Sequence, residues 1–300
     1  MGAETAEKFA ARYAGLTEIR AANPAAIAKA TRGRARRAAP LGPDGRLMLV
    51  AADHPARGAL GVGDRPLAMA DRRDLLERVC TALARPGVDG VLGTPDVIED
   101  LLLLGVLDDK VVIGSMNRGG LAGSSFEIDD RFTAYDAASI ADHRLDGGKM
   151  LLRIDEADPA TARTLAACAR AVSELAANGS MAMIEPFLAR RIEGRVRNVL
   201  TPEAMTRAVA VASGLGATSA YTWLKVPVVA DMERVMAASS LPALLLGGDV
   251  RADRGATLAG WRAALALPTV RGLVVGRNLL YPAGDDVAGA VDAAVEVLRV

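Results

Sequence analysis

What most restricts the folds open to this chain is an alternation: eight short runs rich in Val, Ile and Leu, separated by longer stretches with apolar residues at helical spacing. The runs are LMLVAAD ending at Asp53, VDGVLG at Gly93, VVIGS at Ser115, KMLLR at Arg153, MAMIE at Glu185, AYTWLK at Lys225, ALLLGG at Gly248 and GLVVG at Gly276. Strands apolar on both faces need cover on both sides, and parallel strands need crossovers that a helix supplies. A closed (β/α)8 barrel or an open doubly wound sheet meets both demands. The count of eight favours the α/β TIM barrel, and no Gly-x-Gly-x-x-Gly follows the first run to argue for a dinucleotide fold.

The stretches between the runs carry helix signals. Asp158 reads as an N-cap with Pro159 at the first helical position, Leu165, Cys168, Val172 and Leu175 share a stripe, and Gly179 follows the end. Thr201, Pro202 and Glu203 repeat the pattern ahead of Met205, Ala208, Val209 and Ala212, and residues 68–85 group Leu75, Leu76, Val79 and Leu83. Residues 1–45 read as an N-terminal helical extension, placed near the amino-terminal end of the barrel or at a subunit contact, and residues 46–300 as the catalytic barrel. The cluster Arg32, Arg34, Arg36 and Arg37 is expected on a solvated helix face.

Half of the 300 residues are hydrophobic (51%), enough for one large core. Lys plus Arg equals Asp plus Glu at 36 each, so nucleic acid and anionic membranes are not expected as partners, and any phosphate binding must be local. Cys80 and Cys168 lie far from any metal-ligand spacing and read as reduced core residues, and two distant histidines supply too few ligands for zinc. No metal or other cofactor is expected. With no apolar run near the roughly 18 to 20 residues that span a bilayer, and an acidic, Ala-rich start, the expectation is a cytoplasmic homo-oligomer acting on a small molecule.

In such a barrel the active site lies where the carboxyl ends of the strands meet. Those ends are polar: Asp53 and His54, then Ser115, Asn117 and Arg118, then Arg153, Glu185 and Lys225, and finally Gly247, Gly248, Gly276 and Arg277. Residues two apart on a strand share a side, which groups Lys149 with Arg153, Met183 with Glu185, and Tyr221 and Trp223 with Lys225. If these sides face inward, neighbouring strands deliver a carboxylate and an amine into one pocket. The chain has only five lysines against 31 arginines, yet Lys149 and Lys225 both fall inside strand-like runs. A lysine inside a barrel must be paired or lose its proton, and a neutral amine is the form that attacks a carbonyl. The residues therefore point to Lys225 as nucleophile, Glu185 or Asp53 with a water as proton shuttle, and Lys149 or Arg153 as the neighbour that holds a substrate oxygen. The glycines fit a phosphate cradle, to which Arg277 adds a fixed charge. Asn117 and Arg118 are candidates for a substrate carboxylate or second phosphate, Ser115 and His54 for further polar contacts, and Tyr221 and Trp223 for the pocket wall. Each has a plainer alternative: Lys225 merely paired with Glu185, Lys149 buried and paired with Asp155 or Glu185, Asp53 as a turn cap, His54 as a satisfied interior residue, SMNRGGLAG as a mobile lid, the aromatics as core filling.

Together, the Asp-His of VAADHPARG, the lysine of GGKMLLR, IEP, WLKV, the later Gly-Gly and VVGRNLL resemble the class I, Schiff-base aldolase superfamily over about residues 46 to 282. Within it the chain looks closest to tagatose-bisphosphate and archaeal-type fructose-bisphosphate aldolases, with deoxyribose-phosphate aldolase more distant. The resemblance implies a metal-independent lyase acting on a phosphorylated sugar, with the imine on Lys225. It further implies that Lys149 is the family's strand-four lysine, Glu185 the proton-transfer glutamate and Asp53 the strand-one aspartate, with phosphate held at Gly247, Gly248, Gly276 and Arg277. The whole chain also resembles an actinobacterial barrel subgroup associated with inositol-catabolism genes, which implies cleavage of 5-dehydro-2-deoxygluconate 6-phosphate. An isomerase or thiolase-like acyl transferase in the same pocket, or a non-catalytic sugar-phosphate binding protein, stays open because fold and lysine together do not fix a reaction.

Overall fold

The computed structural model describes residues 3–42, 44–248 and 253–299. It begins with three helices, α1 (Ala3–Ala14), α2 (Leu16–Ala22) and α3 (Ala25–Gly33). The first half of the barrel follows as β1 (Leu47–Ala51), α4 (Arg72–Leu83), β2 (Gly90–Gly93), α5 (Pro95–Leu103), β3 (Val111–Ser115), α6 (Ala137–Asp142), β4 (Gly147–Ile154) and α7 (Ala160–Ala177). The second half comprises β5 (Met181–Ile192), β6 (Arg195–Asn198), α8 (Pro202–Ser213), β7 (Thr222–Pro227), α9 (Met232–Met236), β8 (Ala243–Leu246), α10 (Arg254–Leu265), β9 (Val270–Val275), α11 (Arg277–Leu280) and α12 (Val287–Leu298).

Eight strands pair in parallel in the order β1, β2, β3, β4, β5, β7, β8, β9, and β9 returns to β1. The ring is closed, giving the expected (β/α)8 barrel. Strand parity splits the apolar residues into two layers: Leu47, Leu49 and Ala51 pack inside with Ile113, Met183 and Leu244, while Met48 and Val50 pack outward under the helices. A strand apolar at every position is what such two-sided burial requires.

The helix starts follow the sequence signals with one shift. Thr201 caps α8 by accepting from the Ala204 N–H, and Met205, Ala208, Val209 and Ala212 are all buried. In α7 the start comes one residue late. Pro159 occupies the cap position, and the Asp158 carboxylate accepts from the Ala160 N–H at 2.9 Å.

Two features depart from the sequence expectation. The fifth run does not stop at Glu185: β5 continues to Ile192, turns at Glu193 (φ 50°) and Gly194 (φ 76°), and returns as the antiparallel β6. Two consecutive left-handed residues are what a two-residue hairpin loop of matching twist needs. Ala189 and Val196 pin this hairpin against Ile128 and Ala160.

The second departure concerns the arginine cluster: Arg32 is exposed on α3 as expected, but Arg34, Arg36 and Arg37 follow the helix and pair with the barrel. Arg34 is buried and donates to the carbonyls of Lys110 (3.0 Å) and Arg144 (2.5 Å). Arg36 pairs with Asp146 at 3.0 Å and Arg37 with Asp89 at 2.5 Å. Asp89 and Asp146 immediately precede β2 and β4 and accept the backbone N–H groups of Met48 and Val112. The segment after α3 thus closes the amino-terminal end of the barrel by charge, while Leu41 packs against the inner layer. Among the described residues, no helix is long and apolar enough to cross a membrane.

Candidate active site

At the carboxyl end of the ring lies a cavity of about 240 Å³ whose lining includes Asp53, His54, Arg57, Arg118, Lys149, Arg153, Glu185, Lys225, Gly247, Gly248, Gly276 and Arg277. Its centre is an ionic chain. Glu185 on β5 takes Lys149 Nζ on Oε2 at 2.5 Å and Lys225 Nζ on Oε1 at 3.3 Å. Lys149 also reaches Asp53 Oδ2 at 3.3 Å, and the same oxygen accepts from Ser115 Oγ at 3.0 Å and lies 3.1 Å from Arg118 Nη2. Adjacent strands β4, β5 and β7 supply Lys149, Glu185 and Lys225, which explains why three such different side chains meet.

The charges act on one another. Burial by itself would raise the carboxyls, but the ammonium groups of Lys149 and Lys225 outweigh it and hold Glu185 at about 2. Asp53 is likewise held well below the ordinary carboxylate range, burial being overcome by Arg118, Lys149 and Lys225. Burial, assisted by Arg118, pulls Lys149 down to about 8 against the attraction of Asp53 and Glu185. At neutral pH the carboxylates are ionised, so either is a proton acceptor. His54 is neutral: burial, with Arg277 and Lys225 adding repulsion, takes it down to about 3 despite Asp53 Oδ1 lying 3.8 Å from its Nδ1.

Beside Lys225 and across the ring from Lys149, the cavity wall after β8 and β9 carries Gly247, Gly248 and Gly276. A Cβ on Gly276 would stand 2.6 Å from the Ala51 carbonyl oxygen, so no side chain fits there and the backbone is left bare to the cavity. The two glycine loops are tied by Asn278 Nδ2 donating to the Gly247 carbonyl at 2.6 Å.

Not every candidate from the sequence reaches the cavity. Tyr221 precedes β7 and is 44% exposed at the other end of the barrel, and Trp223 packs against the inner layer beneath the site. Parity gives the side a residue faces but not its height: four residues of strand put Tyr221 roughly 13 Å below Lys225. Ser115 sits behind Asp53 as its donor. Asn117 is fully buried and bridges to the β4 backbone, accepting from Leu151 N at 2.7 Å and donating to Leu151 O at 2.5 Å, so neither residue lines the cavity. Conversely, Arg57, Phe187, Asn198 and Leu200 line it without having been singled out. Phe187 pairs with Arg153 in the ring, while Asn198 and Leu200 belong to the hairpin and its exit, whose signal was a Glu-Gly turn between alternating residues in FLARRIEGRVRN. Among the described residues, no three or more His, Cys, Asp or Glu gather into a group able to hold a metal ion.

Compared with known proteins, residues 45–295 match the family model described as Cgl0159-like. The chain belongs to the Cgl0159-like family. The crystal structure of Cgl0159 from Corynebacterium glutamicum is 54% identical, with 96% of this chain and 97% of that one covered and a TM-score of 0.94. This member of the family also shares its barrel with a Schiff-base-forming fructose-1,6-bisphosphate aldolase at 18% identity, covering 91% of this chain and 99% of that one with a TM-score of 0.63. An archaeal fructose-1,6-bisphosphate aldolase, whose catalytic lysine is covalently bound to the carbinolamine intermediate of its substrate, aligns at 16% identity over 91% and 100% of the two chains, TM-score 0.62. At such identities the likeness is one of fold. A search of the curated proteins finds no match.

Proposed function

We propose that this chain is a Schiff-base aldolase acting on a small phosphorylated sugar or sugar acid, with Lys225 as the nucleophile. The observation that carries this reading is Glu185, ionised and gripped on its two oxygens by Lys149 and Lys225 at the floor of a cavity with a glycine wall. The barrel shared with aldolases that form a Schiff base adds that the fold accommodates such chemistry.

In this mechanism Lys225 passes a proton to a neighbouring carboxylate, its freed amine adds to the substrate carbonyl, and the proton is returned as water leaves, giving a protonated imine. Glu185, or Asp53 through a water, removes the proton of the hydroxyl on the far carbon of the bond to be cleaved. The carbon–carbon bond breaks, its electron pair moves into the imine to give an enamine, and an aldehyde leaves. Returning the proton to the enamine carbon and adding water regenerates Lys225 and releases the ketone. Lys149 stays charged near neutral pH and steadies the substrate oxygen through these steps. Gly247, Gly248, Gly276 and Arg277 hold the phosphate.

Borohydride reduction in the presence of dihydroxyacetone phosphate, followed by intact and peptide mass spectrometry, tests the reading. A reduced adduct on Lys225 that disappears in Lys225→Ala is the expected result. If a wider panel of keto-sugar phosphates raises the melting temperature yet leaves no adduct, the protein is a binder and the proposal fails.

A further inference from the structure

Two arginines on the far wall of the cavity take no part in the proposed imine chemistry. In the ring of eight strands, β4 and β9 are four places apart in either direction and so stand diametrically opposite. Arg153 belongs to β4, four residues beyond Lys149, and Gly276 and Arg277 follow β9; Glu185 on β5 and Lys225 on β7 lie along the arc between these walls. Arg57, from the loop after β1, joins Arg153: both bond to Glu127 Oε1, Arg57 Nη2 at 3.1 Å, and Arg153 Nη2 also donates to the Glu127 carbonyl at 2.8 Å. Glu127 itself does not line the cavity. Its other oxygen accepts the Gly123 N–H at 2.8 Å, so it anchors the pair from behind.

That anchor under-compensates the charge. One carboxylate oxygen serves two guanidinium groups, and Asp130 Oδ2, the next acid, is 3.9 Å from Arg153 and is pushed by burial toward its neutral form. Arg153 is only 4% exposed, yet its Nε, like that of Arg57, has no hydrogen-bond partner. A guanidinium offers five N–H donors in a rigid fork that matches an oxyanion, and a buried donor without a partner is unfavourable. Burial and repulsion from Arg153 and Arg118 lower Arg57 to about 10, as expected where cations crowd without their counter-ion.

We propose that Arg57 and Arg153 form a second oxyanion site facing the glycine wall, so that the ligand carries an acidic group, carboxylate or phosphate, at each end. The orientation of that ligand rests on the Lys225 reading; the presence of two anion sites does not. Glu127 is a positioning residue for the pair.

Isothermal titration with glycerol 3-phosphate, 6-phosphogluconate and hexitol 1,6-bisphosphate separates the cases, since none of these probes has a carbonyl that forms an imine. In the wild-type protein, at least one two-acid probe should bind tenfold or more tighter than glycerol 3-phosphate, and whichever gains more identifies the second group as carboxylate or phosphate. Arg57→Gln should remove that advantage while changing glycerol 3-phosphate affinity less than twofold, Arg57→Lys should restore part of it, and Glu127→Gln should weaken the two-acid probes selectively. Equal wild-type affinities for all three, or an Arg57→Gln loss shared equally by the one-acid probe, would overturn the proposal. If two-acid selectivity holds but borohydride traps nothing, the Lys225 reading fails and this site stands; an adduct without selectivity gives the reverse.

Discussion

Glu185 holds an ammonium group on each oxygen, so the proposed proton transfer and the stability of the site depend on the same side chain. Replacing it with Gln keeps the shape and removes the base. Turnover in Glu185→Gln should fall about 10²- to 10⁴-fold, the usual worth of a positioned carboxylate, while borohydride still traps Lys225. Steady-state rates beside trapping yields check this, and an unchanged rate would assign the transfer to Asp53. His54 makes a different prediction. Its folded value near 3 lies below the ordinary 6.5, so between those limits the unfolded chain binds a proton that the folded chain refuses. Stability must therefore fall as pH drops through that window. Glu185, depressed from 4.5 to about 2, adds its own loss only at pH below about 4.5. Melting temperatures of His54→Gln should decline less than those of the wild type between pH 6.5 and 4.5, and parallel curves would mean that His54 is not held neutral.

Among the strands, β9 carries the sharpest local constraint. The register between β8 and β9 slips between Ala243 and Leu245, and within this irregular stretch Gly272 adopts φ 146°, where a Cβ would lie 1.9 Å from the Leu47 carbonyl oxygen. No L side chain fits without moving β1, which also carries Asp53 to the site. Gly272→Ala should destabilise the protein by about 3 kcal/mol, the upper range for a strained backbone position, and should lower the urea midpoint. A cost below about 1 kcal/mol would show that the bulge relaxes freely. The β5–β6 hairpin illustrates the opposite case. Its contribution to the cavity wall through Asn198 and Leu200 comes from an insertion in one crossover, and such loops vary without disturbing the ring.

For the molecule as a whole, the ends of the barrel divide the work. The carboxyl end concentrates charge around a cavity, whereas the amino-terminal end is sealed by Arg34, Arg36 and Arg37 against acids that also fasten neighbouring strands. The Arg34 side chain is only 2% exposed, so Arg34→Met strips a buried pair of one partner and should cost about 3 kcal/mol in urea unfolding, with the same dependence on denaturant. No measurable loss would show that Arg36 suffices for Asp146. The extension could be recognised as helical from its composition, but its role could not, because Arg34 and Asp146 are 112 residues apart and nothing local links them. The same limit divides the rest. The sequence by itself determined the closed barrel, through eight doubly apolar runs and their crossover helices, and by parity it put Lys149, Glu185 and Lys225 on sides that can meet, since both periodicities are local properties of the backbone. Only the tertiary structure decided depth and partnership: that Tyr221 and Trp223 lie below the site, that Asn117 bridges backbone, and that Arg57 and Arg153 converge on Glu127, because these depend on where strands end around a ring and on contacts between residues remote in the chain.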